Sequence, residues 1–280
     1  MKLEVNGGNF YYGKRKKKTE PSFLYRNSIN LKLCEGEILS VLGPNGAGKT
    51  TFLKCLIGLK DWKQGETRIE GKSIKDYSSR ELWKLVGYVP QASKMAFAYS
   101  VLEMVTMGRA MYIRSYSQPS AKDEAAAMEA LESIGIAHLA YQSCNSISGG
   151  ELQLALIART LVADPKLLIL DEPESHLDIQ KQKIILQTIK KLVKEQNITC
   201  IINTHYPNHA FYFGDQVMMV SKQQPVIVGK TEEIMTEENM EKYFDIRVKK
   251  VETEVEDRTF TSMIPHYLSE ATQDSQQFNL

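Results

Sequence analysis

The chain predicts an α/β fold with a parallel sheet, an inserted helical segment and an N-terminal antiparallel β region. Three observations carry this expectation. An apolar, strand-like run at 37–42 leads through a glycine-rich loop into a helix. Two further short apolar runs, at 167–170 and 200–203, have the character of central parallel strands. Between the first run and these two lies a stretch of helical periodicity, about 92–147.

Bulk properties bound the answer. The 280 residues are 42% hydrophobic and 25% charged, with net charge +1. That is ordinary soluble globular composition, long enough for a sizeable core and one or two domains. The balanced charge does not point to nucleic acid as a partner. Cys34, Cys55, Cys144 and Cys200 are scattered, with no C-x-x-C pair. They read as buried small hydrophobes in a reducing compartment. No apolar run reaches membrane-spanning length, and residues 1–5 lack the apolar core of a signal peptide. A cytoplasmic location is expected, with any work at a membrane done through a partner.

In chain order, residues 30–33 and 35–37 read as a hairpin feeding the strand at 37–42. A helix follows the glycine loop over 51–57, and 66–71 reads as another β segment. The basic interruption at 13–21 contains Lys14, Arg15, Lys16, Lys17 and Lys18. It reads as a solvated loop, or as a contact for phospholipid headgroups or an acidic partner. Leu102, Met104 and Val105 give 100–108 a helical pattern, and the alanine- and glutamate-rich 121–134 predicts a second helix. The α/β pattern returns over 148–219. Beyond 243, Val251, Thr253 and Val255 alternate with Glu252, Glu254 and Glu256, which reads as a half-exposed strand that turns at Asp257-Arg258. The last dozen residues are polar and predict disorder. The expected division is 1–243 and a short extension, 244–280, of hairpin and polar tail.

Three motifs carry chemistry. Gly43-Pro44-Asn45-Gly46-Ala47-Gly48-Lys49-Thr50 fits G-x-x-x-x-G-K-S/T. Its glycines let consecutive amides point at phosphate oxygens, Lys49 adds a point charge, and the Thr50 hydroxyl suits Mg²⁺. Thr51 follows in a helix whose N-terminus faces the anion. The second motif is an apolar strand ending in Asp171 and Glu172. Asp171 is placed to hold the Mg²⁺ shell and Glu172 to polarise a water. The third is Ile147-Ser148-Gly149-Gly150-Glu151. Ser148 and Glu151 fit a capping box, and the glycines allow a second phosphate close to a helix N-terminus. The helix that follows is apolar on most faces and should be buried.

In this order, the motifs resemble those of ATP-binding subunits of ABC transporters, over about residues 3–243. The resemblance implies a P-loop NTPase with a RecA-like core, with ATP and Mg²⁺ as cofactors. Tyr12 sits where the family has an aromatic that stacks on adenine. Gln91, in Tyr88-Val89-Pro90-Gln91, matches the Q-loop that touches Mg²⁺ and the membrane partner, giving a metal set of Thr50, Gln91 and Asp171. Asp178, in Ser175-His176-Leu177-Asp178, matches the D-loop, and His205 matches the switch histidine that contacts γ-phosphate. The resemblance further implies a symmetric homodimer. ATP would lie between residues 43–51 of one copy and Ser148, Gly149 and Gly150 of the other. Glu172 and His205 would permit hydrolysis. The implied partners are polytopic permease subunits and, indirectly, a substrate-binding protein. The implied place is the cytoplasmic face of the membrane.

Some positions depart from the family's commonest pattern. Ile147 stands for leucine, Leu152 and Leu154 for polar residues, and Glu174 for threonine. Glu174 adds a carboxylate whose like charge would repel a neighbour. Residues 101–109 resemble importers of iron–siderophores, haem and cobalamin. Residues 148–154 and 204–210 are similar to these and to molybdate-type relatives, which favours a metal-chelate importer. The tail is shorter than the regulatory domain expected on sugar importers. A subunit of another ABC transporter class and a soluble ABC ATPase of cluster-assembly type stay open. A DNA-maintenance ATPase does not fit, because no sustained heptads separate Lys49 from Asp171.

Overall fold

The structure is a computed structural model that describes residues 2–12, 24–25, 27–91, 98–113 and 117–266. The basic interruption at 13–21, the start of the helical insertion at 92–97 and the polar C-terminus lie outside these. In chain order the elements are β1 (Leu3–Asn9), β2 (Ile29–Leu33), β3 (Ile38–Leu42), α1 (Lys49–Leu56), β4 (Gln64–Ile69), β5 (Lys72–Ser73), α2 (Ser79–Leu85) and β6 (Val86–Val89). They continue with α3 (Val101–Thr106), α4 (Ala121–Ile134), α5 (Gly149–Leu161), β7 (Leu167–Asp171), α6 (Ile179–Gln196) and β8 (Thr199–Asn203). The last are α7 (Pro207–Phe213), β9 (Gln216–Met219), β10 (Ile227–Lys230), α8 (Thr231–Ile234), α9 (Glu237–Phe244), β11 (Val248–Val255) and β12 (Arg258–Pro265).

The strands sort by how many faces they can bury. β3, β7 and β8 are buried at every residue. Such runs need cover on both sides, and they form the centre of a six-stranded sheet ordered β10-β9-β3-β8-β7-β6. Within it β3, β6, β7, β8 and β9 run parallel, and β10 closes one edge antiparallel. β2 alternates buried and exposed residues and joins an antiparallel sheet ordered β2-β1-β4-β5. The expected hairpin at 30–37 is therefore corrected. The turn that begins at Cys34 carries the chain from the one-sided sheet into the two-sided one. It is closed by Glu37, whose N–H donates to the Cys34 carbonyl at 3.3 Å and whose Oε2 accepts from the Cys34 N–H at 2.7 Å.

The helices α3, α4 and α5 share one apolar cluster with β7, through residues such as Val105, Leu131, Ile157 and Leu168. The α5 helix is buried as expected, and α4 spans the residues its composition predicts. Cys55, Cys144 and Cys200 are buried, but Cys34 is exposed because it opens the turn between the sheets. The β11–β12 hairpin turns at Glu256-Asp257, one residue before the expected Asp257-Arg258, because Arg258 already pairs with Val255. Its base packs through Val248 and Met263 on Leu42, Val217 and Met219, and Asn208 exchanges two hydrogen bonds with the Met263 backbone. From Glu252 to Val255, β11 is exposed at every position rather than on one face. Among the described residues, no helix is long and apolar enough to cross a membrane.

Parallel strands bring their C-terminal ends to one edge of the sheet. The loop after β3, Gln91 after β6, Asp171 at the end of β7 and His205 after β8 all meet there, where ligands of open α/β sheets bind.

Candidate active site

The loop from Gly43 to Gly48 has the backbone that its glycines make possible. Gly48 takes φ 106° as the N-cap of α1, and a Cβ there would lie 2.7 Å from the Leu24 side chain. At Gly43, with φ 155°, a Cβ would meet the Val220 carbonyl at 2.2 Å. Pro44, Asn45 and Gly46 are exposed, while Ala47 and Lys49 are buried. Lys49 Nζ donates to the carbonyls of Gly43 at 2.7 Å and Pro44 at 3.2 Å. Burial pulls its pKa down, opposed by the charges of Glu172 and Asp171. The Tyr25 hydroxyl donates to the Gly48 carbonyl at 2.9 Å. The Tyr12 hydroxyl lies 2.6 Å from Thr51 Oγ1. Tyr12 is 64% exposed, so its ring stands open beside the loop.

Asp171 ends β7 with both oxygens held. Oδ1 accepts from Asn203 Nδ2 at 2.5 Å and from the Thr50 hydroxyl at 3.3 Å. Oδ2 accepts from the Tyr88 hydroxyl at 3.0 Å. Burial first, and then the Asp171 charge, push the Tyr88 pKa up, which keeps the phenol a donor. A hydroxyl and a carboxylate together suit a hard cation such as Mg²⁺, which takes few protein ligands and completes its shell with phosphate and water. Among the described residues no group of three or more His, Cys, Asp or Glu could hold a metal.

Glu172 follows in the left-handed region, φ 54°. Its N–H donates to the Asn203 carbonyl at 3.0 Å. Its Oε1 lies 2.5 Å from His205 Nε2, and its Oε2 accepts from the Ser175 hydroxyl at 3.1 Å. His205 Nδ1 is 3.4 Å from Lys49 Nζ. One imidazole thus bridges the ammonium of the phosphate loop and the carboxylate after β7. The neutral tautomer with its proton on Nε2 satisfies both contacts, since Nδ1 then accepts and Nε2 donates.

The structure brings together Gly43 to Thr51, Tyr12, Asp171, Glu172 and His205. Gln91 is exposed two residues beyond β6, and its side chain does not bond Thr50 or Asp171. Ser148, Gly149, Gly150 and Asp178 also stay apart from the loop. Ser148 caps α5, its N–H donating to Glu151 Oε2 at 2.7 Å. Gly149 is exposed, and Gly150 packs under the Lys181 side chain. Asp178 caps α6, accepting from the Lys181 N–H at 2.9 Å. Glu174 turns its carboxylate to the Thr204 hydroxyl and the His209 ring. Sequence reasoning misses Asn203, Tyr88, Ser175 and Tyr25 as parts of the site. Asn203 did carry a signal, as a polar residue ending an apolar strand.

A loop shaped for phosphate, facing a carboxylate–imidazole pair able to orient water, is the equipment of a P-loop nucleotide hydrolase. Residues 26–175 match the ABC transporter family, and the chain belongs to that family as an ATP-binding, ATP-hydrolysing cassette. It is 36% identical to the molybdate import ATP-binding protein MolC of Haemophilus influenzae, covering 95% of this chain and 96% of that one. A solved structure of a protein assigned to the metal-chelate type of ABC transporter, in an inward-facing conformation, is similar with TM-score 0.82 and 34% identity, over 95% of this chain and 97% of that one. A dimeric ATP-binding cassette in a post-hydrolysis state, bound to ADP and phosphate, is similar with TM-score 0.66 and 26% identity, over 82% and 98%. The predicted α/β P-loop fold is the one found.

Proposed function

We propose that this chain is the ATP-driven motor of an importer for a metal compound, a metal chelate first. The observation that carries the motor assignment is the His205 bridge between Lys49 and Glu172. The cargo reading rests on chain-long similarity to a metal-chelate type transporter and to a molybdate import protein.

In this reading the amides and Lys49 of the loop take the β- and γ-phosphates. Thr50 and Asp171 hold Mg²⁺, which supplies charge neutralisation on the phosphates. Glu172 accepts a proton from the attacking water, and His205 holds Glu172 in place and reports the γ-phosphate to its own loop. Tyr12, with its ring open beside Thr51, takes the adenine. Two copies face head to tail, and the second copy's Ser148, Gly149 and Gly150 complete the site at the N-terminus of α5. The exposure of Gly149 and its separation from the loop of its own chain support that arrangement, as does the dimeric state of the solved cassette with ADP and phosphate. The surface around Gln91 passes closure to a polytopic permease, which places the motor at the cytoplasmic face of the membrane.

The test is reconstitution and growth. The chain should co-purify with a polytopic membrane protein, and permease with loaded binding protein should raise a slow basal ATPase. Deleting the gene should impair growth under metal limitation and spare sugar uptake. Loss of sugar uptake with intact metal acquisition would remove the cargo reading and leave the ATPase in place.

A further inference from the structure

Glu174 is a carboxylate buried to 1% exposure in the turn between β7 and α6. Burying a carboxylate is costly unless it is paired, and this one is paired with the far side of the site. Oε1 accepts from the Thr204 hydroxyl and lies 3.4 Å from His209 Nδ1, while Oε2 has no hydrogen-bond partner among the described residues. Thr204 precedes His205. Its Oγ1 already accepts from the Tyr206 N–H at 3.1 Å, which leaves the hydroxyl proton for Glu174. The His209 ring, on α7, sits 4.8 Å from the ring of Tyr206. The Glu174 carbonyl accepts from Gln182 Nε2 at 3.3 Å, and that amide also reaches the Tyr206 hydroxyl at 3.4 Å.

The segments leaving β7 and β8 are therefore pinned twice. The first pin is Asp171 with Asn203, the second Glu174 with Thr204 and His209. Glu172 and His205 occupy the turns between the pins. We infer that Glu174 is a positioning residue for ATP hydrolysis, and that its pairing with Thr204 and His209 sets the His205 loop against the turn that carries Glu172. The inference rests on the roles proposed above for Glu172 and His205.

The experiment is steady-state MgATP kinetics of the full chain, with rates normalised to nucleotide-binding sites. The variants are Glu174→Ala, Glu174→Gln, His209→Ala and the Glu174→Ala/His209→Ala double, with Glu172→Gln in parallel. Each alanine variant should lower kcat about tenfold, the scale of a small misplacement in a site, and leave KM for ATP within about twofold. Glu174→Gln keeps the volume and an acceptor for Thr204, so it should recover most of the loss. The double should be no slower than the slower single, because both remove one pairing. A wild-type kcat in Glu174→Ala overturns the inference. So does an additive double, or a Glu174→Gln no faster than the alanine. Should Glu174→Ala not fold, His209→Ala carries the test: its kcat should fall about tenfold with KM held, and a wild-type kcat there overturns the inference. A wild-type rate in Glu172→Gln instead removes the site assignment beneath it, so the two failures are distinguishable.

Discussion

Asn203 donates through Nδ2 to Oδ1 of Asp171 over 2.5 Å, and the two residues face each other in the parallel register of β7 and β8. Asp171 is only 7% exposed, so its orientation depends on this amide, the Tyr88 phenol and the Thr50 hydroxyl. Outer partners of metal ligands typically change affinity or activity about 10–100-fold when lost. Asn203→Leu should therefore raise the Mg²⁺ concentration for half-maximal ATPase by about tenfold or more. A Mg²⁺ titration at saturating ATP measures this, and an unchanged midpoint would mean that the Asn203 amide does not position Asp171 for the cation.

Glu172→Gln keeps the size of the side chain and an acceptor for Ser175 while removing the charge. Hydrolysis should slow by about 10² or more, as for loss of a general base. ATP binding should persist, because Lys49 and the loop are untouched. MgATP should then accumulate a dimer visible by size-exclusion chromatography. A variant that turns over at the wild-type rate would locate the base elsewhere.

What is legible in the sequence is what is local. The loop at 43–50, the strand-end pair Asp171-Glu172, the capping box at 148–151 and the α4 helix each lie within a few residues, so spacing alone reveals them. The remainder depends on register between distant segments. Nothing near Tyr88 says that its hydroxyl meets Asp171, and nothing near Glu174 says that it meets His209. Those contacts exist because β6, β7 and β8 are adjacent and parallel. The turn beginning at Cys34 shows the same limit. Its local pattern suits a hairpin, but sheet membership is decided by whether one face or two must be buried.

Glu151 offers a pH signature. The Ser148 side chain first, then the Ser148 backbone N–H, hold its carboxyl below the ordinary value of 4.5. With the native value depressed, the stabilisation is complete above about pH 4.5 and is lost as pH falls through the lower native value. Glu151→Gln should melt below the wild type at neutral pH, and the two curves should converge in acid. Thermal unfolding at pH 7 and pH 3 reads this out. A gap that is constant across that range would exclude the charged capping box as its source.

Gly149→Asp separates the shared-site arrangement from one in which each chain works alone. A Cβ at Gly149 would meet Leu177 at 3.4 Å, an ordinary contact, and an acidic residue in the first turn of α5 suits the helix dipole. The monomer should fold and bind ATP at its own loop. Ser148→Arg is the less clean probe, because it also removes an N-cap worth about 1 kcal/mol. In a head-to-tail dimer the aspartate faces the γ-phosphate held by the other copy, so MgATP-driven dimerisation and hydrolysis should both fail. Mixing supplies the decisive arm. Lys49→Ala has a damaged loop and an intact Gly149, while Gly149→Asp has the reverse. A mixed dimer contains one composite site with neither defect, so ATPase should reappear when the two inactive variants are combined. If each chain instead used its own Ser148 to Gly150, the mixture would stay as inactive as its components.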